Sequence, residues 1–120
     1  KSKKMDYLIG IGDGMFYWNE KYYIVDWKTN LIKIPEGQTV NEVLEQKVKE
    51  SYHYQYMIYS MNLIDSITQN ESDKKEVWEK KFGGMLFIFM RIKEDNQGSL
   101  LIKPTYEEIV NFKSNLEVLQ

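Results

Sequence analysis

The stretch Lys21-Tyr22-Tyr23-Ile24-Val25-Asp26-Trp27-Lys28-Thr29-Asn30 constrains the fold more than any other part of the sequence. Aromatic and β-branched residues crowd into it and it ends in Asp-x-Lys, so it reads as a β-strand. Side chains two apart on a strand share a face, which makes Asp26 and Lys28 project together. Upstream, Asp6 to Tyr17 is a second strand candidate, and Trp18-Asn19-Glu20-Lys21 has the polar tip of a hairpin turn. With Asn19 and Glu20 as the two central loop residues, Asp13 falls opposite Asp26.

Like charges facing each other on a sheet destabilise it by up to ~1 kcal/mol, so something should compensate the pair. A hard divalent cation does so economically, since Mg²⁺ needs only one or two carboxylates plus water and substrate oxygens. Gly10, Gly12 and Gly14 surround Asp13 and leave it little side-chain cover, which suits a carboxylate that must reach an ion and its water. The spacing leaves the plainer reading open: a solvated, bulged hairpin carrying two surface aspartates.

Composition narrows the remaining classes. The 120 residues suit one domain, and 42% hydrophobic content predicts a folded core. A formal net charge of −2 excludes nucleic-acid binding by bulk charge, so any DNA contact must be local. Without cysteine there is no disulfide, no cysteine zinc site and no cysteine-ligated iron–sulfur cluster. No apolar run approaches a membrane span, and no signal peptide is visible. The first residue is Lys, which predicts a piece excised from something longer.

Beyond Asn30, Thr39-Val40-Asn41-Glu42 fits a capping box, and a helix, or two in succession with a break near Ser51, is expected from Val40 to about Gln69. Tyr52, Gln55, Tyr56, Tyr59 and Leu63 recur on it at three- and four-residue steps, placing Gln55 and Tyr59 on one face. An aromatic stripe of this kind is usually core, but a buried glutamine must find partners. His53, the only histidine, reads as a surface or partnered residue. Asn70 to Asp73 is a loop with an N-cap candidate, and Lys74 to Lys81 a short charged helical or irregular segment anchored by Trp78. Phe82 to Arg91 reads as a strand buried on both faces, Glu94 to Gly98 as a turn, Ser99 to Lys103 as a strand, and Thr105 to about Val118 as the last helix. The order is β-β-α-β-β-α: an α/β domain with a central sheet flanked by helices.

Four stretches together resemble the RecB-like branch of the PD-(D/E)xK nucleases, in particular the C-terminal nuclease domain of RecB-type helicase–nucleases. They are Gly10-Ile11-Gly12-Asp13, Tyr22 to Asn30 with its Asp-x-Lys, Tyr52-x-x-Gln55-Tyr56-x-x-Tyr59, and Phe82-Gly83-Gly84 leading to Phe87-x-Phe89-x-Arg91. The resemblance runs from about Leu8 to Phe112. It implies a mixed-sheet, restriction-endonuclease-like core and a cytoplasmic Mg²⁺-dependent exonuclease, Mn²⁺ being a possible substitute, that cuts DNA during double-strand break repair and recombination. It implies that Asp13, Asp26 and the Trp27 carbonyl ligate the ion, that Lys28 orients the water or stabilises phosphate charge, and that Gln55 and Tyr59 support the site or contact DNA. The partners it implies are RecC- and RecD-like subunits and a helicase part of the same chain.

One departure stands out. The family's site includes a histidine on a helix well upstream of the first Asp, and none of the twelve residues before Asp13 is His. Residues 1–120 are therefore expected to be a single nuclease domain lacking its upstream helix, with weak metal binding and little cleavage on its own. Two other classes share parts of the pattern: an inactive nuclease-fold module that docks DNA or partner subunits, and a glycosidase using Asp13 and Asp26. The glycosidase leaves Lys28 and the glycines unexplained.

Overall fold

Strands β1 (Gly14–Trp18) and β2 (Lys21–Lys28) form an antiparallel hairpin in the computed structural model, which describes residues 13–92 and 96–119. Asn19 and Glu20 make the turn with φ of 50° and 63°, the left-handed pair of a type I′ turn, whose twist matches that of the strands. The register runs from Trp18↔Lys21 through Tyr17↔Tyr22 to Gly14↔Val25, as a loop at Asn19-Glu20 requires. Asp13 is a bend one residue beyond the last pair. The earlier part of the expected first strand, with Gly10 and Gly12, and the basic lead-in lie outside the described residues.

The chain then enters helices. Helix α1 (Val40–Ser51) opens on the expected capping box: the Thr39 hydroxyl accepts from the Glu42 N–H at 3.1 Å, and the Glu42 carboxylate accepts from the Thr39 N–H at 3.0 Å. Hydrogen bonds from the Thr39 backbone and then its side chain hold the Glu42 carboxyl below the usual glutamate range. Helix α2 (His53–Ile67) follows after Tyr52, whose φ of −122° and ψ of 18° interrupt the helix close to the expected break. A 3-10 turn (Glu71–Asp73) leads into α3 (Lys74–Lys81), strands β3 (Phe82–Ile92) and β4 (Asn96–Ile102), and α4 (Tyr106–Leu119).

The four strands form one mixed sheet in the order β1-β2-β3-β4, with β2 and β3 parallel and both outer pairs antiparallel. The α/β class and the mixed sheet flanked by helices are as expected. The region between the second and third strands, abbreviated to one helix in the expected order, holds three: two in succession with the break at Tyr52, and the charged Lys74–Lys81 segment, which is helical. Asp73 gives α3 no side-chain cap, because it already has right-handed helical geometry. Strand β4 begins at Asn96, within the segment expected as a turn.

Strand β3 is not buried on both faces. Tyr22 pairs with Phe82 but Tyr23 with Gly84, so Gly83 is an extra bulged residue that shifts the alternation of side chains. Phe82, Met85, Phe87 and Phe89 consequently fall on one face and are fully buried. Leu86 and Ile88 on the other face are half-buried, and Met90 is exposed. Gly84 has a φ of +127°, and a Cβ there would stand 2.8 Å from the Ile102 carbonyl oxygen. The buried face meets Leu44, Val48, Tyr56, Met57, Leu63 and Ile64 of α1 and α2, and Trp78 of α3. Trp78 is locked by its indole N–H donating to the Pro104 carbonyl at 2.9 Å.

Candidate active site

The parallel strands β2 and β3 end side by side, with Asp26↔Phe87 and Lys28↔Phe89 in register. Their carboxyl ends are where open α/β sheets place ligands. Alternation puts Ile24, Asp26 and Lys28 on the face covered by helices. Asp26 is therefore buried, at 5% exposure, in a place where a bare carboxylate would be costly. Two partners compensate it. Lys28 Nζ stands 2.7 Å from Asp26 Oδ2, and the Gln55 side-chain amide donates to Asp26 Oδ1 at 3.2 Å. Lys28 also donates to Gln55 Oε1 at 2.9 Å, closing a three-residue ring of contacts. Gln55 comes from the first turn of α2, which explains a glutamine in an otherwise aromatic stripe.

Tyr52 completes the cradle. The Lys28 ammonium lies 4.0 Å above the centre of its ring, and that ring stacks on Phe87 at 5.6 Å with an interplanar angle of 19°. This aromatic support was not assigned to the site from sequence. The stripe that contains Tyr52 could have suggested it, but only the tertiary fold brings β2 under the α1–α2 break.

Asp13 approaches from the other side. Its Oδ2 accepts the Trp27 N–H. The N–H and C=O of a strand residue point toward the same neighbour, so the Trp27 carbonyl faces the side where Asp13 stands, past the end of β1. Asp13 is exposed and Asp26 is buried, so the two carboxylates reach this end of the sheet from different environments.

Tyr59 lies one turn beyond Gln55, half-buried against the core, and makes no hydrogen bond to Asp26, Lys28 or Gln55. His53 is turned elsewhere: its Nδ1 is 2.9 Å from the Tyr56 hydroxyl, and its ring packs edge-on against Tyr56 and Phe112.

The donor set suits a hard cation in part. Asp13, Asp26 and the Trp27 carbonyl offer only oxygen, the preference of Mg²⁺. Asp26 Oδ2 has its close ion contact with Lys28 but no well-directed hydrogen bond, leaving a buried oxygen with capacity to spare. Among the described residues no third acidic or histidine side chain joins the two carboxylates.

No family model matches the chain. It is similar to RecBCD enzyme subunit RecB of Borreliella burgdorferi, 40% identical over 91 residues that cover 75% of this chain and 7% of that protein. The RecB subunit of Buchnera aphidicola subsp. Acyrthosiphon pisum is 32% identical over 106 residues, 85% of this chain and 9% of that protein. This is a RecB-like domain. The RecB subunit of Haemophilus influenzae, 29% identical over 103 residues, extends the same likeness. The RecB-like chain thus spans less than a tenth of the length of these relatives. No helix among its described residues is long and apolar enough to cross a membrane.

Proposed function

We propose that this RecB-like domain is a Mg²⁺-dependent DNA exonuclease module of a helicase–nuclease, acting in double-strand break repair and recombination beside other subunits of a RecBCD-like complex. The observation that carries the reading is the Asp26–Lys28–Gln55 cluster at the carboxyl end of β2, with Asp13 and the Trp27 carbonyl alongside. Asp13, Asp26 and the Trp27 carbonyl would hold the ion. When bound, Mg²⁺ lowers the pKa of a coordinated water and neutralises charge developing on the phosphate. Lys28, held by Asp26, Gln55 and the Tyr52 ring, presents a fixed positive charge beside the scissile phosphate. Gln55 orients both charged partners, since its amide donates to one and its carbonyl accepts from the other.

Nuclease assays on the full-length protein test the reading. Linear DNA should be degraded with Mg²⁺ or Mn²⁺ and left intact in EDTA, and Asp26→Asn should abolish degradation. Equal degradation by Asp26→Asn and the parent protein would refute it.

A further inference from the structure

Arg91 is the only arginine in the sequence; every other basic side chain apart from His53 is lysine. It stands on β3 just past the Lys28↔Phe89 pair, where the β3–β4 register slips between Phe89 and Ile92. Bulges re-aim side chains and are frequent beside active sites. The Arg91 backbone is pinned here, because its carbonyl accepts the Ile32 N–H at 2.8 Å. Its side chain is not. The exposed guanidinium makes one long bond, 3.5 Å, to the Thr29 carbonyl, directly after Lys28 on β2. Among the described residues no carboxylate pairs with it. A planar fork of five donors is thus held at the rim of the Asp26–Lys28 cluster with most of its hydrogen-bonding capacity free.

We propose that Arg91 binds a backbone phosphate of the DNA strand, next along from the phosphate at Asp26 and Lys28. This rests on the nuclease reading and deepens it by assigning a strand-binding residue. A guanidinium takes a phosphate through two parallel hydrogen bonds, which fixes orientation as well as charge. Because the chain as a whole is acidic, affinity for DNA has to come from cations placed one by one at the site. Lys28 is committed to Asp26 and Gln55, whereas Arg91 is a nearby cation among the described residues with donors to spare.

The test is fluorescence anisotropy of the 120-residue chain with a labelled oligodeoxythymidylate in EDTA, over a NaCl series. Arg91→Gln should raise Kd about tenfold, the scale of one charge-assisted hydrogen-bonded contact. It should also reduce the slope of log affinity against log salt by ~0.7, the loss of one phosphate contact to a single strand. Arg91→Lys should restore the slope while recovering only part of the affinity, and Lys113→Gln on α4 should change neither. A purely structural role for Arg91 would leave the slope alone. An unchanged slope and Kd in Arg91→Gln overturns the assignment, as does a parent chain that fails to bind the oligonucleotide. The nuclease reading falls separately, if the full-length protein shows no Mg²⁺-dependent cleavage or if Asp26→Asn cleaves as the parent does.

Discussion

Lys28 is constrained from three directions: Asp26 Oδ2 at 2.7 Å, Gln55 Oε1 at 2.9 Å and the Tyr52 ring at 4.0 Å. A flexible lysine held in this way loses much of its rotamer freedom before any substrate arrives, which is the preorganisation that electrostatic catalysis requires. Lys28→Ala is therefore expected to lower kcat in the full-length protein by ~10² or more, with little change in the Mg²⁺ concentration needed for half-maximal rate. Steady-state kinetics over a Mg²⁺ series would check this; a tenfold rise in the metal requirement with normal saturated turnover would contradict it. At this scale much of the cluster was legible in the sequence. Asp26 and Lys28 share a face by strand alternation, and Asp13 follows from a two-residue turn. Tyr52 and Arg91 were named only as members of motifs. The break near Ser51 is legible, but which strand it faces is set by the tertiary fold, and the bulge that places Arg91 is encoded in no periodicity.

Among the elements, local signals worked where the chemistry was local. Thr39 and Glu42 form their capping box, and Thr105 and Glu108 form a second one, with Thr105 N–H to Glu108 at 3.0 Å and Glu108 N–H to the Thr105 hydroxyl at 3.1 Å. The Thr-x-x-Glu spacing at 105–108 is the same sequence signal as at 39–42. The β3 apolar run misled because a long hydrophobic string looks the same whether it is buried on one face or two. What decides its burial is the bulge at Gly83, and the two glycines there have different tasks. A Cβ on Gly83 would strike the Tyr23 ring, which is itself stacked on Phe16 at 4.8 Å and has some freedom to swing aside. A Cβ on Gly84 would meet the Ile102 carbonyl at 2.8 Å on a residue whose φ is +127°. Backbone cannot swing aside in the same way. Gly84→Ala should thus cost about 2–4 kcal/mol and Gly83→Ala about 1–2, as overpacking and strain combine at one position only. Chemical denaturation of the two variants would show the order, and equal losses would mean that the Ile102 backbone yields.

At the scale of the whole molecule, α1, α2 and α3 contribute to one core on a single face of the sheet, and the candidate site lies where that core reaches the end of the parallel pair. Burying Asp26 there is tolerable only because Lys28 and Gln55 answer it, so a cation arriving at the site must share Asp26 with Lys28 rather than fill an empty cage. Metal affinity should be modest for that reason, and it should depend on Asp13, the exposed carboxylate that no lysine among the described residues engages. Ligands that bind only the folded state raise its stability by mass action. Mg²⁺ or Mn²⁺ should consequently raise the Tm of the 120-residue chain, with a gain of ~2.7 kcal/mol at a hundredfold excess over Kd. Asp13→Asn keeps a carbonyl oxygen that can accept the Trp27 N–H, so without metal the variant should melt close to the parent. With metal its Tm should barely move, because one of two charged ligands is gone. Differential scanning calorimetry of both proteins across a Mg²⁺ series separates these effects. A metal-induced shift of equal size in Asp13→Asn would mean that the ion binds elsewhere and that the two aspartates do not share it.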